Sequence, residues 1–200
     1  MNRERRSASA AVLNDKIYVA GGNYICEYFN SVEVYDPDTN KWTFVAPMLS
    51  RRASFSCVAF HGCLYALGGY NGEGDLPIAE KYDPANDTWT EIPDMLVYSS
   101  FCNAEVIDDM IFVIGGFFDK DTIFGVESFN GNGDERYQAA DMNFSRYDMS
   151  TCVIKNLSNA RDYAYKHRNK LLEEKRKEML DLENSWFTFD YCHDKHINFN

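Results

Sequence analysis

Apolar and polar positions alternate in short runs along this chain, and the runs recur. Ile17-Tyr18-Val19-Ala20 leads into Gly21-Gly22, Leu64-Tyr65-Ala66-Leu67 into Gly68-Gly69, and Ile111-Phe112-Val113-Ile114 into Gly115-Gly116. A short apolar run bounded by turn residues predicts a buried strand rather than a helix. The double glycines start at 21, 68 and 115, so both intervals are 47 residues. A fixed period of roughly 20–50 residues marks a repeat architecture.

The polar positions keep the same period. Glu33, Glu80 and Glu127 stand in register, as do Tyr35, Tyr82 and Phe129. Asp36 and Asp83 match, with Asn130 in the third copy. Trp42 matches Trp89, while the third copy has Arg136 there and Tyr137 one place late. Met1, Met48, Met95 and Met142 form a further series, and Arg146 stands where Arg5 and Arg52 stand.

Each copy predicts four strands. They cover 7–13, 16–22, 32–35 and 41–46; then 54–60, 63–69, 78–83 and 88–92; then 101–107, 110–116, 125–130 and about 135–139. Between the last two strands Asp36-Pro37-Asp38-Thr39-Asn40 makes a turn: Asp caps it, Pro presets φ, and Asn tolerates the left-handed region. Asp83-Pro84-Ala85-Asn86 repeats it, and Asn130-Gly131-Asn132-Gly133 is an altered version. Four antiparallel strands on short turns make one blade of a β-propeller. The chain is therefore read as all-β, with about three blades at 1–47, 48–94 and 95–141 and a lone closing strand at 148–154. Tyr35, Tyr82, Trp42 and Trp89 are expected to pack between blades, since large rings fill the space between stacked sheets.

The pattern stops near Lys155. Residues 155–183 read as a charged helix opened by Ser158, with pairs such as Lys170/Glu174 four apart. Residues 184–200, including Trp186-Phe187-Thr188-Phe189-Asp190-Tyr191, read as an aromatic, disordered tail.

Charge changes the functional picture. The chain carries 20 Lys+Arg against 31 Asp+Glu, a net −11. Residues 1–154 hold 11 against 23, so −12 falls on the repeats and +1 on the remainder. An acidic repeat region argues against nucleic-acid or anionic-membrane binding and suits a solvated surface or a basic partner. No apolar signal core follows Met1, and no run of 18 apolar residues offers a membrane span. The six cysteines neither recur at the repeat period nor form Cys-x-x-Cys. Reduced thiols in a cytoplasmic protein are expected.

Catalytic patterns are thin. The blades hold one histidine, His61, in a turn. Cys192-His193-Asp194-Lys195-His196 gathers metal-ligand types without a second pair at finger spacing. Asp36-x-Asp38-x-Asn40 starts like a calcium loop but lacks its glycine and late Glu. No cofactor is expected, and the chain reads as a non-enzyme.

The apolar strand, the Gly-Gly, Ser31-Val32-Glu33-Val34-Tyr35-Asp36-Pro37 and Trp42-Thr43-Phe44-Val45-Ala46-Pro47-Met48 together resemble the kelch repeat. They look most like the kelch-like adaptors of cullin-3 ubiquitin ligases. Residues 152–163 are similar to the C-terminal end of one kelch-like member. The resemblance implies six blades behind a dimerising BTB domain and a helical BACK domain. Three blades leave faces that a ring would cover. Either two chains close a ring, or the sequence is the C-terminal fragment of a longer protein. Met1 stands where the family has its blade-ending methionine, which favours the fragment.

By the same resemblance the function is recognition of a protein substrate for cullin-3-dependent ubiquitination. Cullin-3 would be engaged only through an upstream BTB domain, so these residues alone are not expected to recruit it. A cytoskeletal kelch protein that binds actin is the second reading, and a copper radical oxidase the least favoured. The substrate would meet the residue after Gly-Gly, the loop that follows, and the residue after the blade-opening Arg. Those are Asn23 and Tyr24; Tyr70, Asn71 and Glu73; Phe117, Phe118, Asp119 and Lys120; and Arg6, Ala53, Ser100 and Tyr147.

Overall fold

The computed structural model describes residues 1–94, 100–118, 121–123, 125–130 and 136–153. The helical tail at 155–183 and the aromatic tail at 184–200 lie outside the described residues, as does residue 154 of the closing strand. Residues 1–153 form one compact unit.

Three four-stranded antiparallel sheets follow one another. The first holds β1 (Ser9–Leu13), β2 (Lys16–Ala20), β5 (Val32–Asp36) and β6 (Lys41–Val45), in that spatial order. The second holds β7 (Ser56–Phe60), β8 (Cys63–Leu67), β9 (Ala79–Asp83) and β10 (Thr88–Ile92). The third holds β11 (Asn103–Ile107), β12 (Met110–Ile114), β15 (Val126–Phe129) and β16 (Arg136–Gln138). Two short hairpins complete the set: β3 (Asn23–Tyr24) with β4 (Glu27–Tyr28), and β13 (Phe117–Phe118) with β14 (Asp121–Thr122).

The predicted strands into the double glycine run two residues too far. β2, β8 and β12 end at Ala20, Leu67 and Ile114. The glycines that follow take φ of 61° and 90°, 66° and 101°, and 59° and 123°, which no extended strand allows. Close approach adds to this at Gly21. A Cβ there would lie 2.3 Å from the Arg52 carbonyl oxygen.

Two apolar clusters join the sheets. Tyr18, Leu13, Val34, Met48 and Phe55 meet Leu64, Tyr82 and Trp89 between the first and second. Phe60, Tyr65, Leu67 and Ala79 meet Cys102, Ile111, Val113 and Phe129 between the second and third. Trp89 is 6% exposed, and its Nε1 donates to the Ala46 carbonyl at 3.0 Å. Asp87 accepts from the Ala46 amide at 2.9 Å and from the Tyr82 hydroxyl at 2.8 Å. Those bonds hold the Asp87 carboxyl below the usual range, the amide bond first. Tyr82, buried beside it, is pushed up mainly by desolvation. In the first sheet Tyr35 and Trp42 keep the same 5.2 Å ring spacing as Tyr82 and Trp89. They are only half-buried, so the expected packing between blades holds for the second pair.

The innermost strands β1, β7 and β11 lie side by side. Just before each one, a residue takes the left-handed conformation: Ser7, Ser54 and Phe101, with φ of 54°, 53° and 56°. Asp148, one period later, has φ 50°. Their backbones join in series. Ser54 donates to Ser7 at 2.9 Å, Phe101 to Ser54 at 2.7 Å, and Asp148 to Phe101 at 3.2 Å.

Residues 148–153 form no ladder strand, where the sequence pattern predicts one. A strand exists through its pairing, and no second strand of a fourth copy follows among the described residues. The segment still occupies the place beside β11. Asn103 donates to the Met149 carbonyl at 3.0 Å, and Thr151 donates to Glu105 at 2.8 Å. Among the described residues Cys26, Cys57, Cys63, Cys102 and Cys152 form no disulfide, and burial pushes the Cys57 thiol up to about 12.

Candidate functional site

The site begins with two buried arginines. Arg52 Nη2 lies 2.5 Å from Glu80 Oε1, with both side chains fully buried. Its Nη1 donates to the carbonyls of Gly68 at 2.8 Å and Ile78 at 3.0 Å. Glu80 also accepts from the amides of Leu49 and Ser50, at 2.7 and 2.9 Å. The first sheet repeats this: Arg5 pairs with Glu33 at 2.8 Å and donates to Gly21 and Ser31. Further hydrogen bonds offset the burial of each ion pair, with only the Nε of Arg5 and of Arg52 left without a partner among the described residues. Here those bonds run to the double glycine, so each arginine ties the start of its blade to the loop after the second strand.

The next residue of each blade is then fixed. Arg6 and Asn23 exchange both backbone hydrogen bonds at 2.9 Å. Ala53 and Tyr70 do the same at 2.9 Å. Ser100 and Phe117 exchange theirs at 3.1 and 2.8 Å. These are the residues that the kelch resemblance nominates after the arginine position and after Gly-Gly. They are direct partners, one pair per sheet.

The pairs converge on a recess of about 420 Å³. Asn23, Ala53, Tyr70, Ser100 and Phe117 line it. Five further residues join them that the sequence reading missed: Ser7, Tyr28, Ser54, Asp75 and Phe101. Ser7, Ser54 and Phe101 were within reach, being one place past Arg6, Ala53 and Ser100 in the same 47-residue register. Tyr28 and Asp75 stand 47 residues apart at one repeat position, with Thr122 next in the series, but the residue type there changes from copy to copy and so does not mark them. Tyr28 meets Tyr70 edge-on at 5.7 Å. Gly72 allows this approach, since a Cβ there would sit 2.9 Å from the Tyr28 ring.

The remaining nominated residues lie around this mouth or off it. Tyr147 is exposed, with its ring 5.6 Å from Phe117 and 6.3 Å from Phe101. The exposed Arg6 side chain and Tyr24, on the β3–β4 hairpin, do not line the recess. Asn71 is engaged in its own loop, accepting from the amides of Glu73 and Gly74 at 2.8 and 2.9 Å. Glu73 is exposed beside it. Phe118 lies in β13, while Asp119 and Lys120 lie outside the described residues.

A second recess of about 400 Å³ runs between the innermost strands, lined by Ser9–Val12, Ser56–Ala59 and 103–106. Its walls are strand backbone with mostly small or apolar side chains, and Asn103 and Glu105 among them. Among the described residues no group of three His, Cys, Asp or Glu is placed to hold a metal ion. His61 is exposed, stacks on Phe60 and contacts Asp109 at 2.6 Å. Among the described residues no helix is long and apolar enough to cross a membrane.

Comparison with known proteins agrees with this architecture. Residues 4–49 and 51–96 match the Kelch motif. The influenza virus NS1A-binding protein of Homo sapiens is 40% identical over 75 residues, covering 38% of this chain and 12% of that protein. Kelch-like protein 28 of Homo sapiens is 40% identical over 81 residues, 36% of this chain and 14% of that protein. Kelch-like protein 13 of Mus musculus is 38% identical over 82 residues, 38% of this chain and 12% of that protein. The chain thus spans roughly an eighth of the length of the curated relatives it matches. The solved structure of YjhT superposes with a TM-score of 0.63 at 16% identity, covering 70% of this chain and 53% of that one. That likeness concerns the fold alone.

The first two sheets match the Kelch motif, the third repeats their strand order, and the chain is related to the kelch-like proteins in general. The repeat is a scaffold for protein–protein interaction and is typically non-catalytic.

Proposed function

We propose that the mouth takes up a segment of a partner protein, and that the chain is the substrate-recognition part of a cullin-3 ubiquitin-ligase adaptor. One observation supports the reading most. Three bridged pairs, built identically in backbone, place unlike residues at one recess, five of the six lining it and Arg6 standing outside. Recognition surfaces on rigid scaffolds have this character. Tyr70, Phe117 and Tyr147 are the aromatic anchors that interfaces favour, with Arg6, Asn23 and Ser100 beside them. Cullin-3 itself would be reached through a BTB domain upstream of these residues, working from the cytoplasm. Residues 152–163 resemble the end of kelch-like protein 10, a finer kinship that lies mostly outside the described residues.

The test carries residues 1–200 behind a cullin-3-binding BTB domain in cells. A protein captured at the mouth should turn over faster. Tyr70→Ala with Phe117→Ala should abolish capture and turnover together. Turnover that persists in the double variant would place recognition elsewhere. Capture without turnover would remove the ligase part and leave a binding module. Co-sedimentation with actin filaments would favour the cytoskeletal reading.

A further inference from the structure

The recess holds acceptors that lack donors. The Asn23 side-chain oxygen is buried and has no hydrogen-bond partner among the described residues. A buried acceptor left unmade is costly, and such a group in a recess marks a place for a ligand donor. The Asp75 backbone bridges Tyr70, and its half-buried residue lines the same recess. Its carboxylate has no hydrogen bond or ion pair among the described residues.

The other walls are π-faces and edges: Tyr28, Tyr70, Phe101 and Phe117. Aromatic faces attract a cation, arginine most often. A volume of about 420 Å³ lies within the range of small-ligand sites, which run from roughly 300 Å³ upward. The surrounding repeats carry −12 over residues 1–154, which draws cations toward the opening. Arg6 is exposed at the rim but does not line the recess.

We infer that the recess receives an arginine side chain presented by a loop or end of the partner protein. The guanidinium stacks against the aromatic walls and divides its donors between the Asp75 carboxylate and the Asn23 oxygen. A planar ion with five donors suits two separate acceptors and flat walls, where an ammonium makes fewer of these contacts. Arg6 at the rim then faces an acidic residue flanking that arginine. This specifies the ligand chemistry of the mouth and rests on the reading of the mouth as the recognition site.

The experiment uses the full chain and three libraries of capped nonapeptides, with arginine, citrulline or glutamate fixed at the centre. Retention is read by mass spectrometry and confirmed by anisotropy of the best arginine peptide. The arginine library should be retained over the citrulline one. Asp75→Asn should weaken the best peptide by about tenfold or more, the size of one charged hydrogen bond. Asn23→Asp should tighten it by adding a second carboxylate. Equal retention of arginine and citrulline, no retention of any library, or Asp75→Asn without effect would each overturn the inference. Tyr70→Ala separates the two levels. Loss of a charge-indifferent peptide in that variant would spare the mouth and sink the arginine. Binding that survives Tyr70→Ala and Phe117→Ala would sink both.

Discussion

The joint between the first two blades and the mouth above it are built on the same backbone plan, yet they treat the repeat in opposite ways. Under the joint the chemistry recurs: Arg5–Glu33 in the first blade and Arg52–Glu80 in the second make the same pair, and each arginine reaches the first glycine carbonyl of its own blade's double glycine. At the mouth the geometry recurs and the chemistry does not. Arg6/Asn23, Ala53/Tyr70 and Ser100/Phe117 are equivalent bridges with unrelated side chains. Positions where the period preserves residue type hold blades together. Positions where it preserves only backbone are free to carry specificity.

The largest effect should come from breaking a joint. Glu80→Ala leaves Arg52 buried and unpaired, a change that costs about 3–5 kcal/mol. Urea denaturation should show it; a loss below about 1 kcal/mol would mean the pair is solvated. Gly21→Ala acts at the same place. It forces a Cβ toward the Arg52 carbonyl in a left-handed backbone, at a conformational cost of about 1–2 kcal/mol with the clash added.

Next comes the pair of tryptophans. Trp89→Ala should cost about 3–5 kcal/mol, because the ring is enclosed by the neighbouring sheet. Trp42→Ala, at the same repeat position but half-buried, should cost roughly half as much or less. Equal losses would show that the position, not the neighbour, sets the energy.

The strands and the four-stranded sheets were legible because a 47-residue period fixes them three times over. The kelch resemblance was enough to nominate Asn23, Tyr70 and Phe117 after Gly-Gly. It could not show that Arg6, Ala53 and Ser100 are their bridge partners, since pairing depends on how the chain returns. Left-handed Ser7, Ser54 and Phe101 were hidden for another reason. No glycine marks them; tertiary hydrogen bonds hold the strained conformation. The hairpin at residues 23–28 escaped because its turn, Ile25-Cys26, carries no glycine or asparagine, although Ile25 has φ 57°. Tyr28 and Asp75 share one repeat position, but its residue type changes between copies, so residue type gave no sign of them.

Thiol chemistry sharpens the contrast between buried joint and open edge. Cys57 lies in the apolar cluster between blades, and desolvation pushes its thiol up to about 12. Cys26 is exposed at the β3–β4 turn. Iodoacetamide near pH 8 should modify Cys26 and spare Cys57 until the chain unfolds. Early labelling of Cys57 would mean that the joint opens.

The smallest effect is electrostatic. Asp87 crosses the first joint, and its carboxyl is held below its ordinary value by the Ala46 amide and then the Tyr82 hydroxyl. A lowered folded pKa gives stability that is present above the unfolded value, near 3.9, and lost as pH falls through the folded one. Asp87→Asn should flatten that acid-side decline in denaturation curves taken from pH 5 downward. An unchanged slope would place the decline in other carboxylates.

The separation of joint from mouth is most directly tested in one variant, Tyr70→Ala with Phe117→Ala, by measuring its urea midpoint and its partner capture on the same preparation. Capture should fall at least about tenfold while the midpoint moves little, because both rings border the recess and neither belongs to the two clusters that join the sheets. A large midpoint shift with capture intact would contradict the account, showing that the mouth residues hold the blades and that recognition lies elsewhere.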